Sequence, residues 1–180
     1  ADELGLVDKA EGVQGDIEKK YGVDIVLREA GYDSCLNMFT SEECDAVCIT
    51  NMDALIVSPQ RDCVAVLPTS TSNGADACIV TGDIENIEGL KPHKVYGLVG
   101  TVSEYCFVRG IEEAGFKEED FQFSNQDPAI AAQRMQQGAE SHKAIMVWNP
   151  FVLQTLNDRS DSKVLFDSSV IPGEIVDMVV

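Results

Sequence analysis

Apolar positions in this chain follow two rhythms. Short continuous apolar runs rich in β-branched residues recur at 45-DAVCIT-50, 63-CVAVLP-68, 76-DACIVTG-82, 143-KAIMVW-148 and 163-KVLFD-167, and between them apolar residues fall three or four apart. Runs of four to eight bounded by turn residues predict strands, and the wider spacing predicts helices. On this basis a polar helix spans 12–22 and stops at Gly22, a strand follows at 23–30, and 32–43 is a short helix with Leu36 and Phe39 turned inward. Next come a strand at 45–50, a helix at 51–58 that Pro59 ends, and strands at 63–68 and 76–82 around a polar loop. After an acidic connector, 83–93, the pattern restarts as strand 94–100, helix 102–115, strand 121–125, helix 127–139, strand 143–148, helix 149–158 and strand 163–167. The last piece, 170–180, ends on an apolar strand with no polar cap, as if the chain were cut in mid-fold. Strands alternating with helical crossovers predict an α/β fold with mostly parallel sheets and helices on their faces.

In open α/β sheets a ligand lies off the carboxyl ends of the strands. The segments at those ends are 50-TNMDA-54, 69-TSTSNGAD-76, 100-GTVSEY-105, 125-NQDP-128, 148-WNP-150 and 167-DSSVIPG-173; all carry hydroxyl, amide or acid side chains and none carries Lys or Arg. Each admits two readings. Thr50 with Asp53, and Thr101 with Glu104, have the spacing of a capping box, which satisfies free N–H groups at a helix start. A capped helix start at a cleft also aims its remaining N–H groups at a ligand. Ser72-Asn73-Gly74 has the composition of a turn, yet glycine admits a ligand close to the backbone, and Ser72 and Asn73 both donate and accept hydrogen bonds. Trp148-Asn149-Pro150 ends a strand and starts a helix with an early proline, which requires no ligand.

Composition narrows the class. The formal net charge is −18, from 31 acidic and 13 basic side chains. Such a chain repels a phosphate backbone, so nucleic acid is not an expected partner. No apolar run approaches the roughly 18 residues that span a bilayer, and 1-ADELGLVDKA-10 lacks a signal-peptide pattern. Six cysteines, Cys35, Cys44, Cys48, Cys63, Cys78 and Cys106, form no CxxC, and with only His93 and His142 no zinc spacing arises. Buried free thiols are expected, with a disulfide from Cys48 or Cys78 to Cys63 left open. His142 and Lys143 read as a solvated loop. No GxSxG, HExxH or phosphate-cradling glycine pattern occurs, and no metal or cofactor is expected.

Taken together, 1-ADELGL-6, 50-TNMDALI-56, 72-SNGADA-77, 100-GTVSEYCFVRGIEEAG-115, 148-WNP-150 and 165-LFDSSVIPGEIVD-177 resemble the substrate-binding proteins of nitrate/sulfonate/taurine-type ABC importers, nearest the urea-carboxylase-associated, or putative urea, branch. The resemblance implies a type II periplasmic-binding fold, two lobes that close over one small molecule. Lobe I would be 1–83 plus 168–180 and lobe II 84–167, with hinges near 82-GDIE-85 and 167-DSSVIPG-173. It implies ligand contacts from Asn51, Asp53, Ser72, Asn73, Gly74, Thr101, Ser103, Glu104, Asn149 and Ser168 or Ser169, to which position adds Asp127 and Trp148. It further implies no catalysis, an ABC permease as partner, a monomer when full length and an extracytoplasmic location. Family members begin with a signal peptide and an aromatic-rich loop and run past VDMVV, so the chain resembles a fragment. Acceptors at Asp53, Glu104 and Asp127 favour a donor-rich ligand such as urea, guanidine or an amine over an anion. The rival expectations are a pyrimidine-precursor synthase of thiamine biosynthesis on the same fold, or the ligand-sensing domain of a regulator.

Overall fold

The structure, a computed structural model, describes residues 15–180. They fall into two units that divide between Glu43 and Cys44. In the first, helix α1 (Asp16–Tyr21) ends on Gly22 in the left-handed conformation at φ 65°. This is the expected stop; residues 12–14 of the expected helix lie outside the described residues. The Glu18 carboxylate is buried and accepts from the N–H groups of Gly15 (2.6 Å) and Ile25 (2.7 Å). Helix α2 (Tyr32–Thr40) turns Phe39 inward as expected, while Leu36 is half-buried. The strand expected at 23–30 does not form. Val23, Val26 and Leu27 are exposed, and the Ile25 N–H goes to a side chain instead of a ladder. β-branched composition makes a strand only where a neighbour supplies hydrogen bonds.

The second unit holds two sheets. One has three strands in the order β1 (Cys48–Thr50), β8 (Val176–Val179), β2 (Leu67–Thr71), with helix α3 (Asn51–Val57) following β1. The other has five, β5 (Gln122–Asn125), β4 (Lys94–Gly97), β6 (Ala144–Trp148), β3 (Asp76–Thr81) and β7 (Ser162–Asp167). Helices α4 (Val102–Glu113), α5 (Pro128–Gln136) and α6 (Phe151–Asp158) are the crossovers. Strand β4 is parallel to β5 and β6, whereas β3 is antiparallel to both β6 and β7. Four of the five strands therefore run one way, and β3 alone is inverted. In the small sheet β8 is the inverted strand, antiparallel to β1 and β2. The inverted strands are the two that enter from the other sheet: β2 leads into β3 through 72–75, and β7 leads into β8 through 168–175.

The sheets change over at 72–75, upstream of 82-GDIE-85, and β3 lies in the five-stranded sheet. The strand expected at 63–68 is displaced: it runs over Leu67–Thr71, into the polar stretch, and every residue of it is exposed. Its pairing to β8 is irregular between Pro68 and Ser70. Proline has no N–H to donate, which an edge strand tolerates.

The five-stranded sheet is covered on both faces. Cys78, Val80, Ala144 and Met146 pack on one side with Phe107, Ile111 and Phe166; Ala77, Ile79, Ile145 and Val147 pack on the other with Ala131, Met135 and Val152. This alternation, with no exposure at any of the eight strand positions, is why 76–82 and 143–148 are continuous apolar runs. Each buried aliphatic side chain of this size contributes about 1.5–3 kcal/mol. The thiols follow the expectation only in part. Cys78 and Cys106 are buried, Cys35, Cys44 and Cys63 are half-buried, Cys48 is exposed, and all six are free. Burial raises both core thiols far above the ordinary thiol range.

Candidate functional site

Strand direction decides which loops meet. Asp76, the first residue of β3, pairs with Trp148, the last of β6; Ala77 pairs with Asp167, the last of β7; and Gly97, the last of β4, pairs with Asn125, the last of β5. Inverting β3 thus brings 72–75, 98–101, 125–127, 148–150 and 167–169 to one edge of the five-stranded sheet. Backbone bonds join them, from Asn149 N–H to the Ala75 carbonyl (3.0 Å) and from Gln126 N–H to the Gly97 carbonyl (2.8 Å). In the small sheet Thr50 and Thr71, the ends of β1 and β2, pair with Asp177 and Val176 at the start of β8. The carboxyl edges of the two sheets are therefore the edges that the two connections join.

At the crossing of those connections lies a buried hydroxyl network. Ser168, with no exposed surface, accepts from the Gly74 N–H (2.8 Å) and lies 2.8 Å from the Ser72 hydroxyl. Ser72 donates to the Asp76 carboxylate at 2.5 Å, and its own N–H donates to the Ile175 carbonyl. The hydrogens run one way, from Gly74 through Ser168 and Ser72 to Asp76. Burial raises the Asp76 pKa above the ordinary carboxylate value, against the lowering effect of the Ser72 bond. Gly74 sits at φ 87°, and a Cβ there would touch the Asp167 carboxylate at 3.9 Å. The loop is a turn, as its composition suggests, and Ser72 is one of its structural members, while Asn73 is exposed.

The caps take up most of the acids. The Thr50 side chain accepts from the Asp53 N–H and donates to the Asp53 carboxylate at 2.5 Å, and Asp53 is fully buried. Asp127 accepts from the N–H groups of Ala129 and Ile130. The second capping box is shifted from its expected form. Thr101 accepts from Ser103 N–H, not from Glu104, and the Glu104 carboxylate reaches Gly100 N–H at 2.7 Å. Asn51 has one end of its amide on the second connection, donating to the Glu174 carbonyl (2.9 Å), and the other on the start of β8, accepting from Val176 N–H (3.1 Å). The buried Ser103 hydroxyl, in the first turn of α4, has no hydrogen-bond partner among the described residues. Trp148 is half-buried, and Asn149 and Ser169 are exposed at the same edge. Thus Ser72, Asn73, Gly74, Trp148, Asn149, Ser168 and Ser169 gather at the crossing, with Thr101, Ser103, Glu104 and Asp127 at helix starts along the edge. Asn51 and Asp53 belong to the small sheet's side.

Two features stand apart from this edge. A pocket of about 350 Å³ lies at the opposite edge, lined among others by Thr81, Asp83, Glu140, Lys143, Arg159 and Asp161; both of its cations are paired, Lys143 with Asp83 at 2.6 Å and Arg159 with Asp161. His142 corrects the expectation of a solvated loop. It is 2% exposed, stacks on Tyr96 with ring centroids 4.1 Å apart, and contacts Gln126 at 2.7 Å and Ser141 at 2.9 Å. Burial, and then the charge of Arg134, lower its pKa, which favours the neutral ring, and its stacking makes it a packing residue. A histidine flanked by Ser, Glu and Lys gave no sequence signal of that role. No helix among the described residues is long and apolar enough to cross a membrane.

No family model matches the chain, and no curated protein does. Solved structures do. The periplasmic aliphatic sulphonate binding protein SsuA from Escherichia coli superposes with a TM-score of 0.75 at 22% identity, over 91% of this chain and 54% of its own. The alkanesulfonate-binding protein SsuA from Xanthomonas axonopodis pv. citri, bound to MOPS, gives a TM-score of 0.77 at 15% identity over 91% and 57%. An ancestral arginine-binding protein bound to arginine gives 0.61 at 21% identity over 91% and 70%. The chain spans somewhat over half the length of the two sulfonate-binding proteins. With two sheets joined at their carboxyl edges by two crossing connections, and with these likenesses, the chain has the type II periplasmic-binding-protein fold.

Proposed function

We propose that this chain is part of the extracytoplasmic solute-binding component of an ABC importer, a binding protein and not an enzyme, working with a permease. The observation that carries the reading is the single edge at which inversion of β3 gathers the 72–75, 98–101, 148–150 and 167–169 loops. On this reading each sheet belongs to one lobe, and 72–75 with 168–175 are the hinge. The structures it resembles bind sulfonates and an amino acid by their names, which fits a small polar solute held between lobes.

The internal bonds refine the solute. Asp53 and Asp127 are occupied as caps, so they do not argue for a purely donor-rich ligand such as urea or guanidine. The edge still offers donors in the exposed amides of Asn73 and Asn149. It also offers acceptors, since Glu104 and Asp167 each accept a backbone N–H through a single oxygen. A zwitterion such as taurine matches both sets, its sulfonate taking the donors and its ammonium the carboxylates. In a thermal-shift panel of taurine, ethanesulfonate, nitrate, urea, guanidinium and methylamine on the intact protein, taurine is expected to stabilise by about 2.7 kcal/mol at a hundredfold excess over its dissociation constant. Asn73→Ala is expected to abolish the shift while leaving the unliganded melting temperature unchanged. No shift with any of the six would overturn the reading.

A further inference from the structure

Two segments connect the sheets, and three polar contacts run directly from one segment to the other. Ser72 N–H reaches the Ile175 carbonyl, Gly74 N–H reaches Ser168, and the Ser72 and Ser168 hydroxyls meet. Bonds of this kind let the pair move as one piece. Glu174 is different. Its carboxylate is held from α4, on the five-stranded sheet's side, by the Tyr105 hydroxyl at 2.6 Å and by the Arg109 guanidinium, Nε to Oε2 and Nη2 to Oε1, both at 3.0 Å. Its backbone carbonyl is held from α3, on the small sheet's side, by the Asn51 amide, which also accepts the Val176 N–H. One residue in the second connection is thus tied at both ends, and rotation of one sheet against the other must strain or break one tie.

We propose that Glu174, gripped by Tyr105 and Arg109 on one side and by Asn51 on the other, is a latch that sets how far the two sheets open about the 72–75 and 168–175 connections. The two-pronged guanidinium contact gives the latch a defined geometry. Arg109 also pairs with Glu112 at 2.9 Å and Glu113 at 2.8 Å on its own helix. It therefore keeps carboxylate partners when Glu174 lets go, which makes release reversible. Tyr105, Arg109 and Glu174 are not among the residues assigned to the solute, and the Asn51 amide, expected as a ligand contact, is taken up at both ends here, so a change at Glu174 or Tyr105 acts on affinity through the population of the open form. The inference rests on the proposed binding function only for that last effect; the latch itself is a statement about the connection.

The test uses the intact protein. In Glu174→Ala, and in the milder Tyr105→Phe, amide hydrogen exchange in 171–177 and 51–53 is expected to speed up by roughly fivefold or more, with α5 and β6 unchanged, and the small-angle scattering profile is expected to depart from that of the parent. Glu112→Gln with Glu113→Gln, which removes only the other partners of Arg109, is expected to leave both readouts alone. Under taurine titration the Glu174→Ala dissociation constant is expected to differ from that of the parent by roughly fivefold or more. Absence of taurine binding to the parent would count against the solute and leave the exchange and scattering tests standing. Unchanged exchange in both variants, exchange raised evenly across the whole chain, or a scattering profile identical to the parent would overturn the latch.

Discussion

Ser168 is the residue on which the crossing depends, because its hydroxyl contacts both Gly74 and Ser72. Ser168→Ala leaves the Gly74 N–H unpaired and Ser72 short of a donor, and is expected to cost about 1–3 kcal/mol in urea denaturation. The carboxylate at the end of that relay makes a pH prediction. The Asp76 pKa is raised in the folded protein, chiefly by burial, so its contribution to stability is present below its unfolded value near 3.8 and is lost as pH rises through the folded value. Asp76→Asn is expected to remove that decline from a plot of unfolding free energy against pH; an unaltered slope above pH 4 would contradict it. Glu174 behaves in the opposite sense. Arg109, then Tyr105, lowers it to about 2, so its contribution is present above the ordinary 4.5 and is lost as pH falls toward 2. The two cross in the acid range, and single variants separate them. At this scale the sequence showed the Thr50–Asp53 cap, which is local in the chain, whereas Asp127, read as a ligand acceptor, caps α5 through Ala129 and Ile130. The Ser72–Ser168 pair joins residues 96 apart, and no local pattern reports that.

Helices and buried strands were legible because their signals are periodic and their neighbours are close in sequence. The segments 76–81, 94–97, 144–148 and 162–167 are strands and 102–113, 128–136 and 151–158 are helices; each lies within its expected span except the last strand, which starts one residue before the expected 163. The segments 23–30 and 63–66 failed for one reason: apolar content was read as a strand where a partner was lacking or the pairing began later. The inversion of β3 was likewise invisible, although it is what makes the loop before a strand join the loops after its neighbours. Packing between elements gives a further prediction. Helix α4 lies so close to β7 that a Cβ on Gly110 would come within 2.3 Å of the Phe166 ring. Gly110→Ala must push the helix or the ring away, and a loss of about 1–3 kcal/mol is expected, the usual cost of overpacking. Pairing it with Phe166→Leu, which vacates that space, is expected to recover part of the loss in the same calorimetric measurement; an additive loss would show that the contact is not the cause.

At the scale of the molecule, repulsion among like charges sets the response to salt. The chain carries 31 acidic and 13 basic side chains, so few of the acids can be paired. Lys117–Glu119, Lys91–Asp120 and Lys143–Asp83 are at least partly solvent-exposed pairs, and such pairs contribute little, about 0–1 kcal/mol each. Salt screens both contributions, shortening the Debye length from about 30 Å at 0.01 M to about 3 Å at 1 M. Because a net charge of −18 leaves an excess of repulsive over attractive terms, screening removes more destabilisation than stabilisation. The melting temperature of the intact protein is therefore expected to rise with potassium chloride over that interval and to level off once the Debye length falls below the spacing between neighbouring carboxylates. Chloride is the useful counterion, since sulfate would stabilise any fold by exclusion from its surface. Neutralising two pairs of adjacent acids, Glu118 with Glu119 and Glu112 with Glu113, to glutamine is expected to raise the low-salt melting temperature and flatten the dependence. A melting temperature that falls with chloride would mean that the Arg109 and Arg159 ion pairs outweigh the repulsion.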